Sequence, residues 1–420
     1  MFDAARIADF DEPLAAALAG ERNRQEQYVE LIASENYVSP RVLAAQGSVF
    51  TNKYADGYPG NRHYSGCEFA DVAEQLAIDR AQQLFGAGYA NVQPYSGSIA
   101  NLAVLLAVLE PGDTLLGMRA AHGGHRTHGA VENLSGKLFN VVDYGVDPAT
   151  GEIDYDEAAR LARVHRPKLV IAGFSAYSRD VDWRRFRAIA DDVGALFLAD
   201  IAHVAGLIAA GVSPNPVPIA DLTTTTTHKT LRGPRGGMIL APAPSALTAR
   251  VAAAVYPGLQ GGPLEHVIAA KAVAFAEALE PDFEHYQRKT LANARLLAQL
   301  LQRRGYPVVT GGTDNHMLLV DLSAKPIDAA QAEHALERAH IAVNRIAVPA
   351  DARCDGAASG LRLGTPAVTT RGFVGAQMED VSRWIAAVLD EPSAAVIERI
   401  RGEVLDTCRR FPVYGGAAQS

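Results

Sequence analysis

Cysteine is scarce in this chain. Cys67, Cys354 and Cys408 are the only three in 420 residues, an odd number with no CxxC spacing. That argues against a disulfide scaffold or a thiolate zinc module, and buried free thiols in a reducing compartment are the simplest account. Excess positive charge is also missing. Lys and Arg total 39 against 47 Asp and Glu, a formal charge of −8, which excludes a nucleic-acid binder that works through a general basic surface. A local basic pocket for a phosphate stays possible. No apolar run is long enough to span a bilayer. The first residues, Met1-Phe2-Asp3-Ala4-Ala5-Arg6, bring acid early and no apolar signal-peptide core. These absences predict a soluble cytoplasmic protein with neither nucleic acid nor membrane as partner. Repeats are absent, as is low complexity beyond one run of threonines.

What is present is an ordinary globular composition, 48% apolar and 20% charged, in a chain longer than one usual domain. Residues 1–30 read as a polar, Ala-rich helical arm. From Asn91 onward short apolar strands alternate with longer amphipathic helices. The strands are expected at Thr114–Gly117, Lys168–Ala172, Ala195–Asp200, Leu222–Thr227 and Gly237–Leu240, with helices at Phe69–Phe85, Ile99–Leu109, Trp183–Val193 and Glu265–Leu279. That alternation predicts an α/β fold, a mostly parallel sheet with helices on both faces, over residues 31–280. A boundary at Glu280-Pro281-Asp282 precedes a smaller α+β domain, 281–420. It is expected to hold strands at His316–Asp321 and Ile341–Val343 and helices near Ala329–Ala339 and Gln377–Leu389.

The stretch Thr223-Thr224-Thr225-Thr226-Thr227-His228-Lys229 carries most information. Five β-branched residues favour a strand. It delivers Lys229 to a turn rich in Gly and Pro, where the amine could form a Schiff base or simply be a surface lysine. Tyr95-Ser96-Gly97-Ser98 precedes a helix after a short strand at Val92, a pattern that suits a phosphate as well as plain N-capping. Asp200 and His203 sit at the end of an apolar strand, where open α/β sheets bind ligands. An N-capping aspartate is the plainer alternative. His122, His125 and His128 fall within seven residues, but without cysteines or a regular ligand spacing they argue for no metal. A histidine packed against a cofactor ring suits them better. Arg362, inside an apolar strand, needs either a carboxylate ligand or an internal ion pair.

Together these motifs resemble the serine hydroxymethyltransferases, pyridoxal-phosphate enzymes of the aspartate-aminotransferase fold type. The likeness runs from Leu31–Tyr37 through Asn52–Tyr54, Gly57–Gly60, Asp200–Gly206, Thr223–Gly237, Gly261–Leu264, Gly312–His316 and Arg362–Arg371. It implies fold type I with a seven-stranded sheet in the large domain. It implies that Lys229 carries pyridoxal 5′-phosphate, that Asp200 pairs with the pyridine nitrogen, that His125 stacks on the ring and that His203 lies beside the ring hydroxyl. Ser96, Gly97, Ser98, Ser175 and His228 would hold the cofactor, joined by Gly261 and Gly262 of a partner subunit. Arg362 and Ser34 would clamp the amino acid carboxylate near Tyr64 and His203, and Tyr54 would reach in from the partner. A homodimer with shared sites follows, cleaving the Cα–Cβ bond of a β-hydroxy amino acid by retro-aldol chemistry.

The chain departs from the family pattern around folate. Asp56 replaces the glutamate that handles protons, and Asn61-Arg62-His63-Tyr64 replaces a loop with paired tyrosines. Ala120, Arg126 and Ile346 stand for two leucines and an asparagine that touch the pterin. Cys354–Ser359 replaces a proline-phenylalanine loop, and Tyr95 and Ile99 stand where His and Gln are usual. An isoleucine in place of a hydrogen-bonding asparagine costs about 1–3 kcal/mol, and shortening Glu to Asp disturbs catalytic alignment. These changes predict a folate-independent aldolase or transaldolase, acting on a threonine-, serine- or α-methylserine-type amino acid and an aldehyde. Serine hydroxymethyltransferase itself is the alternative, and a catalytically silent paralogue a third reading.

Overall fold

The computed structural model of the chain describes residues 5–349 and 358–414. Seven strands form the main sheet: β1 (Tyr89–Asn91), β2 (Thr114–Met118), β3 (Asn140–Tyr144), β4 (Leu169–Gly173), β5 (Leu196–Asp200), β6 (Leu222–Thr226) and β7 (Gly237–Ala241). Their order across the sheet is β1-β7-β6-β5-β4-β2-β3, and β7 alone runs antiparallel to its neighbours. The carboxyl ends of the other six therefore share one edge. Strands β4 and β6 are buried along their whole length, as expected when helices cover both faces. Four of the five residues of β6 are threonines, whose buried hydroxyls call for partners: Thr224 donates to Asn101 Oδ1 (2.6 Å) and Thr226 to the Ala202 carbonyl (3.1 Å), while the Thr223 hydroxyl has none among the described residues.

The flanking helices begin where the sequence supplies caps. Asp182 accepts from the amides of Arg184 and Arg185 at the start of Trp183–Val193, and Gly194, at φ 72°, ends that helix. Ser96 caps Gly97–Val108 by accepting from the Ile99 amide. The expected strand at Val92 stops one residue earlier, because the Asn91 side chain turns back to accept from the Gln93 amide. Strand β3 and the helix Tyr155–His165 are not among the expected elements. Both are half exposed and lack an apolar run.

A second apolar core gathers residues from 297 onward together with Val29 and Leu31. It lies on an antiparallel sheet of Met317–Asp321, Gly360–Gly364 and Asn344–Ile346, covered by helices Ala329–Arg338, Gly375–Asp390 and Ala394–Arg410. Helix Pro281–Arg303 starts with Pro281 in its first turn, where a missing N–H costs nothing. The arm helix Glu12–Gln27 buries none of its residues. Among the described residues no helix is long and apolar enough to cross a membrane. Cys67 and Cys408 are free and buried; Cys354 and most of the 354–359 loop lie outside the described residues.

Candidate active site

A cavity of about 290 Å³ opens at the carboxyl edge of the main sheet. Five of the six parallel strand ends contribute to it: Ser96–Ser98 after β1, His125 after β2, Ser175 after β4, Asp200 and His203 from β5, His228 and Lys229 after β6. Arg362 enters from the small sheet and Ser34 from the segment after the arm. A larger cleft, about 510 Å³, lies between the arm and the C-terminal helix, but it holds no lysine or buried acid. Chemistry, not size, picks the site.

Glycine lets these elements close up. A Cβ on Gly97 would sit 2.6 Å from Thr226 Cγ2, and one on Gly173 would sit 2.3 Å from the Asp200 carbonyl oxygen. The carboxylate of Asp200 is buried and held by three donors: Asn101 Nδ2 (2.8 Å), His128 Nε2 (2.9 Å) and the Ala202 amide (3.0 Å). Burial alone would push its carboxyl up. The His128 and Asn101 hydrogen bonds prevail and hold it well below the usual range. Asp200 therefore stays ionised, with a free lone pair on Oδ1 toward the cavity.

Lys229 is buried and its amine makes no hydrogen bond to a described residue. Burial lowers it to about 8; Asp200 works against that shift, and Arg362 and Arg235 add to it. That shift brings the unprotonated amine, the form a nucleophile requires, much closer to neutral pH than in a free lysine. His125 is lowered to about 4, chiefly by burial and then by His128. Its Nδ1 accepts from the Thr127 amide (3.2 Å) and faces the Thr127 hydroxyl (2.6 Å), which places any ring proton on Nε2. His203 is pushed far down by burial. Its Nδ1 lies 3.5 Å from His316 Nε2, with ring centroids 5.6 Å apart and planes only 14° from parallel. That combination sets the two rings edge to edge rather than face to face.

Arg362 has no carboxylate partner among the described residues. Its Nε donates to Asn344 Oδ1 (3.0 Å) and its Nη1 to the Ser175 carbonyl (2.6 Å), and burial lowers it to about 10. Among the described residues the internal ion pair that the sequence allowed is not made. Three cations, Lys229, Arg235 and Arg362, thus face one carboxylate, Asp200, a surplus that suits a ligand with several negative charges.

The three clustered histidines diverge. His122 accepts from the Val146 amide, His125 enters the cavity and His128 supports Asp200. Asn101, Thr127 and His128 were not singled out as site residues from the sequence. The available signal was a lone asparagine in the apolar helix Gly97–Val108, since a buried polar side chain must be paired. Tyr54, Asp56, Tyr64, Gly261 and Gly262 do not line the cavity of their own chain. They cluster elsewhere: Tyr54 and Tyr64 meet edge to face at 5.2 Å, and the Gly262 turn packs against Asp56 and Tyr54.

The residues present fit pyridoxal phosphate. A serine-capped helix start and the unpartnered, buried Nδ1 of His228 offer donors to a phosphate. Asp200 keeps a lone pair for a ring N–H, and Lys229 presents an unpaired amine. Sheet and cavity together define a pyridoxal-phosphate enzyme of fold type I. The serine hydroxymethyltransferase family model matches residues 7–385, and the chain belongs to that family. It is 61% identical over 409 residues to the serine hydroxymethyltransferase of Alkalilimnicola ehrlichii, covering 97% of this chain and 98% of that one. It is 61% identical over 416 residues to that of Legionella pneumophila strain Lens (99% and 100%), and 60% over 409 to that of Methylococcus capsulatus (97% and 98%).

These relatives overturn the expectation of a folate-independent aldolase or transaldolase with an aldehyde partner. Full-length likeness at this level to proteins of that name favours serine hydroxymethyltransferase over a specialised offshoot. Several of the departures also stand in places that tolerate change. Ala120 and Arg126 are exposed, and Ile346 is half-buried on a three-residue strand at the rim of the small sheet.

Proposed function

We propose that this protein interconverts serine and tetrahydrofolate with glycine and methylene-tetrahydrofolate. The observation that carries the reading is the half-buried Arg362, without a carboxylate partner among the described residues, facing Lys229 and Asp200 across one cavity, in a chain this close to proteins of that name. Bound pyridoxal phosphate would supply an electron sink for the pair released at Cα. Lys229 would hold the cofactor covalently, and Asp200, kept ionised by His128 and Asn101, would hold a proton on its ring nitrogen. Ser96, Gly97, Ser98 and His228 would bind the phosphate, and Ser175 borders the ring region. The neutral face of His125 would cover the ring, with His203 beside it. Arg362 and Ser34 would clamp the amino acid carboxylate, which fixes the bond to be broken.

The cluster of Tyr54, Asp56, Tyr64, Gly261 and Gly262 would complete the cavity of a second copy, in a cytoplasmic homodimer with shared sites. Its separation from its own chain's cavity supports that reading. The two distinct cores support a division into an arm (1–30), a large domain (31–280) and a small domain (281–420). The test is serine turnover with and without tetrahydrofolate, with threonine as a second amino acid. Serine cleavage should depend on tetrahydrofolate. Turnover indifferent to it would sink the proposal.

A further inference from the structure

Behind Tyr54, Asp56 and Tyr64 lies a group of buried charges with no place in the chemistry above. The segment itself is slight: Gly57–Tyr58 and Asn61–Arg62 pair as a hairpin of two-residue strands, far too short to hold its own shape. Arg62 turns its side chain inward, 4% exposed, and spends its donors there. Nε bonds Asp71 (2.8 Å), Nη1 the carbonyls of Ala55 (2.9 Å) and Gly57 (3.0 Å), and Nη2 Glu74 (2.6 Å). Glu74, itself buried, accepts again from Gln93 Nε2 (2.8 Å), and that nitrogen also donates to the Gly57 carbonyl (2.9 Å). The backbone on both sides of Asp56 is therefore tied to buried side chains.

Taking this many charges out of water is costly, and apolar residues of similar volume would stabilise the chain as well or better. What the charged set adds is direction. A guanidinium fork fixes two carbonyls at defined angles, which packing alone does not do.

We propose that Arg62, Glu74 and Gln93 are positioning residues, which set the backbone around Asp56 so that Tyr54, Asp56 and Tyr64 reach the neighbouring protomer's cavity in register. The proposal rests on the shared-site reading above. Mixed dimers, made by co-expressing differently tagged chains, test both. Arg62→Lys keeps the charge and loses the fork. As a homodimer it should lose about 100-fold in serine turnover, the scale of an ångström of misplacement. Cofactor affinity should stay at the wild-type value, and the His63 amide, bonded to the Asp56 carbonyl at 2.9 Å, should exchange hydrogen faster. Paired with a Lys229→Ala chain, the surviving cavity belongs to the Arg62→Lys chain and receives an intact hairpin from its partner. Turnover per competent site should then return.

Glu74→Gln, which keeps size but can accept from only one of Arg62 and Gln93, carries the same expectation at smaller amplitude if Arg62→Lys does not fold. Wild-type turnover and exchange in both variants overturns the proposal, as does a mixed dimer as slow as the Arg62→Lys homodimer. A Tyr54→Phe chain paired with Lys229→Ala is the control. Failure to regain activity there removes the shared-site reading and this proposal with it. Recovery in that control without recovery for Arg62→Lys removes the positioning role alone.

Discussion

Glu265 opens the helix Glu265–Ala278 fully buried, and neither carboxylate oxygen has a hydrogen-bond partner. Its contact with Arg62 Nη2, at 3.5 Å, lies outside hydrogen-bond geometry. Burial, and then the neighbouring Glu74, push its carboxyl from 4.5 up to about 8, with Arg62 pulling the other way. The folded state therefore keeps a proton that the unfolded state releases above 4.5. Stability must fall as pH rises through the window from about 4.5 to about 8. At about 1.36 kcal/mol per pH unit, the gap from 4.5 to about 8 gives a ceiling of about 5 kcal/mol. Relaxation and entering water bring the working figure to about 2 kcal/mol. Glu265→Met, similar in length and uncharged, should match the parent at pH 5 and exceed it by about that amount at pH 8. Urea denaturation at both pH values checks this, at one protein concentration because subunit association adds to apparent stability. A variant less stable than the parent at pH 8 would mean that Glu265 is ionised there and pairs with Arg62, and the reasoning would fail.

Other perturbations test the cavity. Asn101→Ala removes donors from Asp200 and Thr127 and strands the Thr224 hydroxyl, so thermal unfolding should show a loss of about 2–4 kcal/mol. Because Asp200 is depressed in the folded state, its contribution is present above the unfolded value and lost as pH falls. Acid unfolding of this variant, followed by circular dichroism, should begin at higher pH than in the parent. The rate of pyridoxal phosphate recombination should rise through pH about 8, the value to which burial brings Lys229, and Arg362→Leu should move that midpoint upward by removing a neighbouring cation. Arg362→Lys cannot keep both the Asn344 and Ser175 contacts and a two-point carboxylate clamp. Serine titration should show binding weakened about 100-fold with cofactor affinity intact.

Strands β4, β5, β6 and β7 and their helices were legible within a residue or two because burial on both faces leaves continuous apolar or β-branched runs. Lys229, Asp200, Ser96 and Arg362 were legible because each is a polar group set against such a run. Strand β3 was not: as an edge strand it exposes Asn140 and Asp143. The 57–62 hairpin was invisible for another reason, since its shape is set by Arg62 reaching residues 71 and 74 on the next helix and no local propensity encodes that. His128 looked like one of three equivalent histidines until tertiary contact with Asp200 separated it.

The folate expectation failed for a related reason: it judged each side chain as if it acted alone. Asp56 was read as a glutamate one bond too short. In the structure the Tyr256 hydroxyl donates to Asp56 Oδ2 (3.3 Å), and the Gly262 turn closes on the other oxygen. A second element thus reaches toward the shorter acid and would supply from outside it the alignment lost along one side chain. If so, Tyr256 matters as much as the length of residue 56. Tyr256→Phe removes a hydrogen bond to a charged group worth about 1.5–3 kcal/mol, so tetrahydrofolate-dependent serine turnover should fall about 10- to 100-fold while serine binding is unchanged. Wild-type turnover in that variant would show that Asp56 needs no such support, and the compensation argument would have to be abandoned.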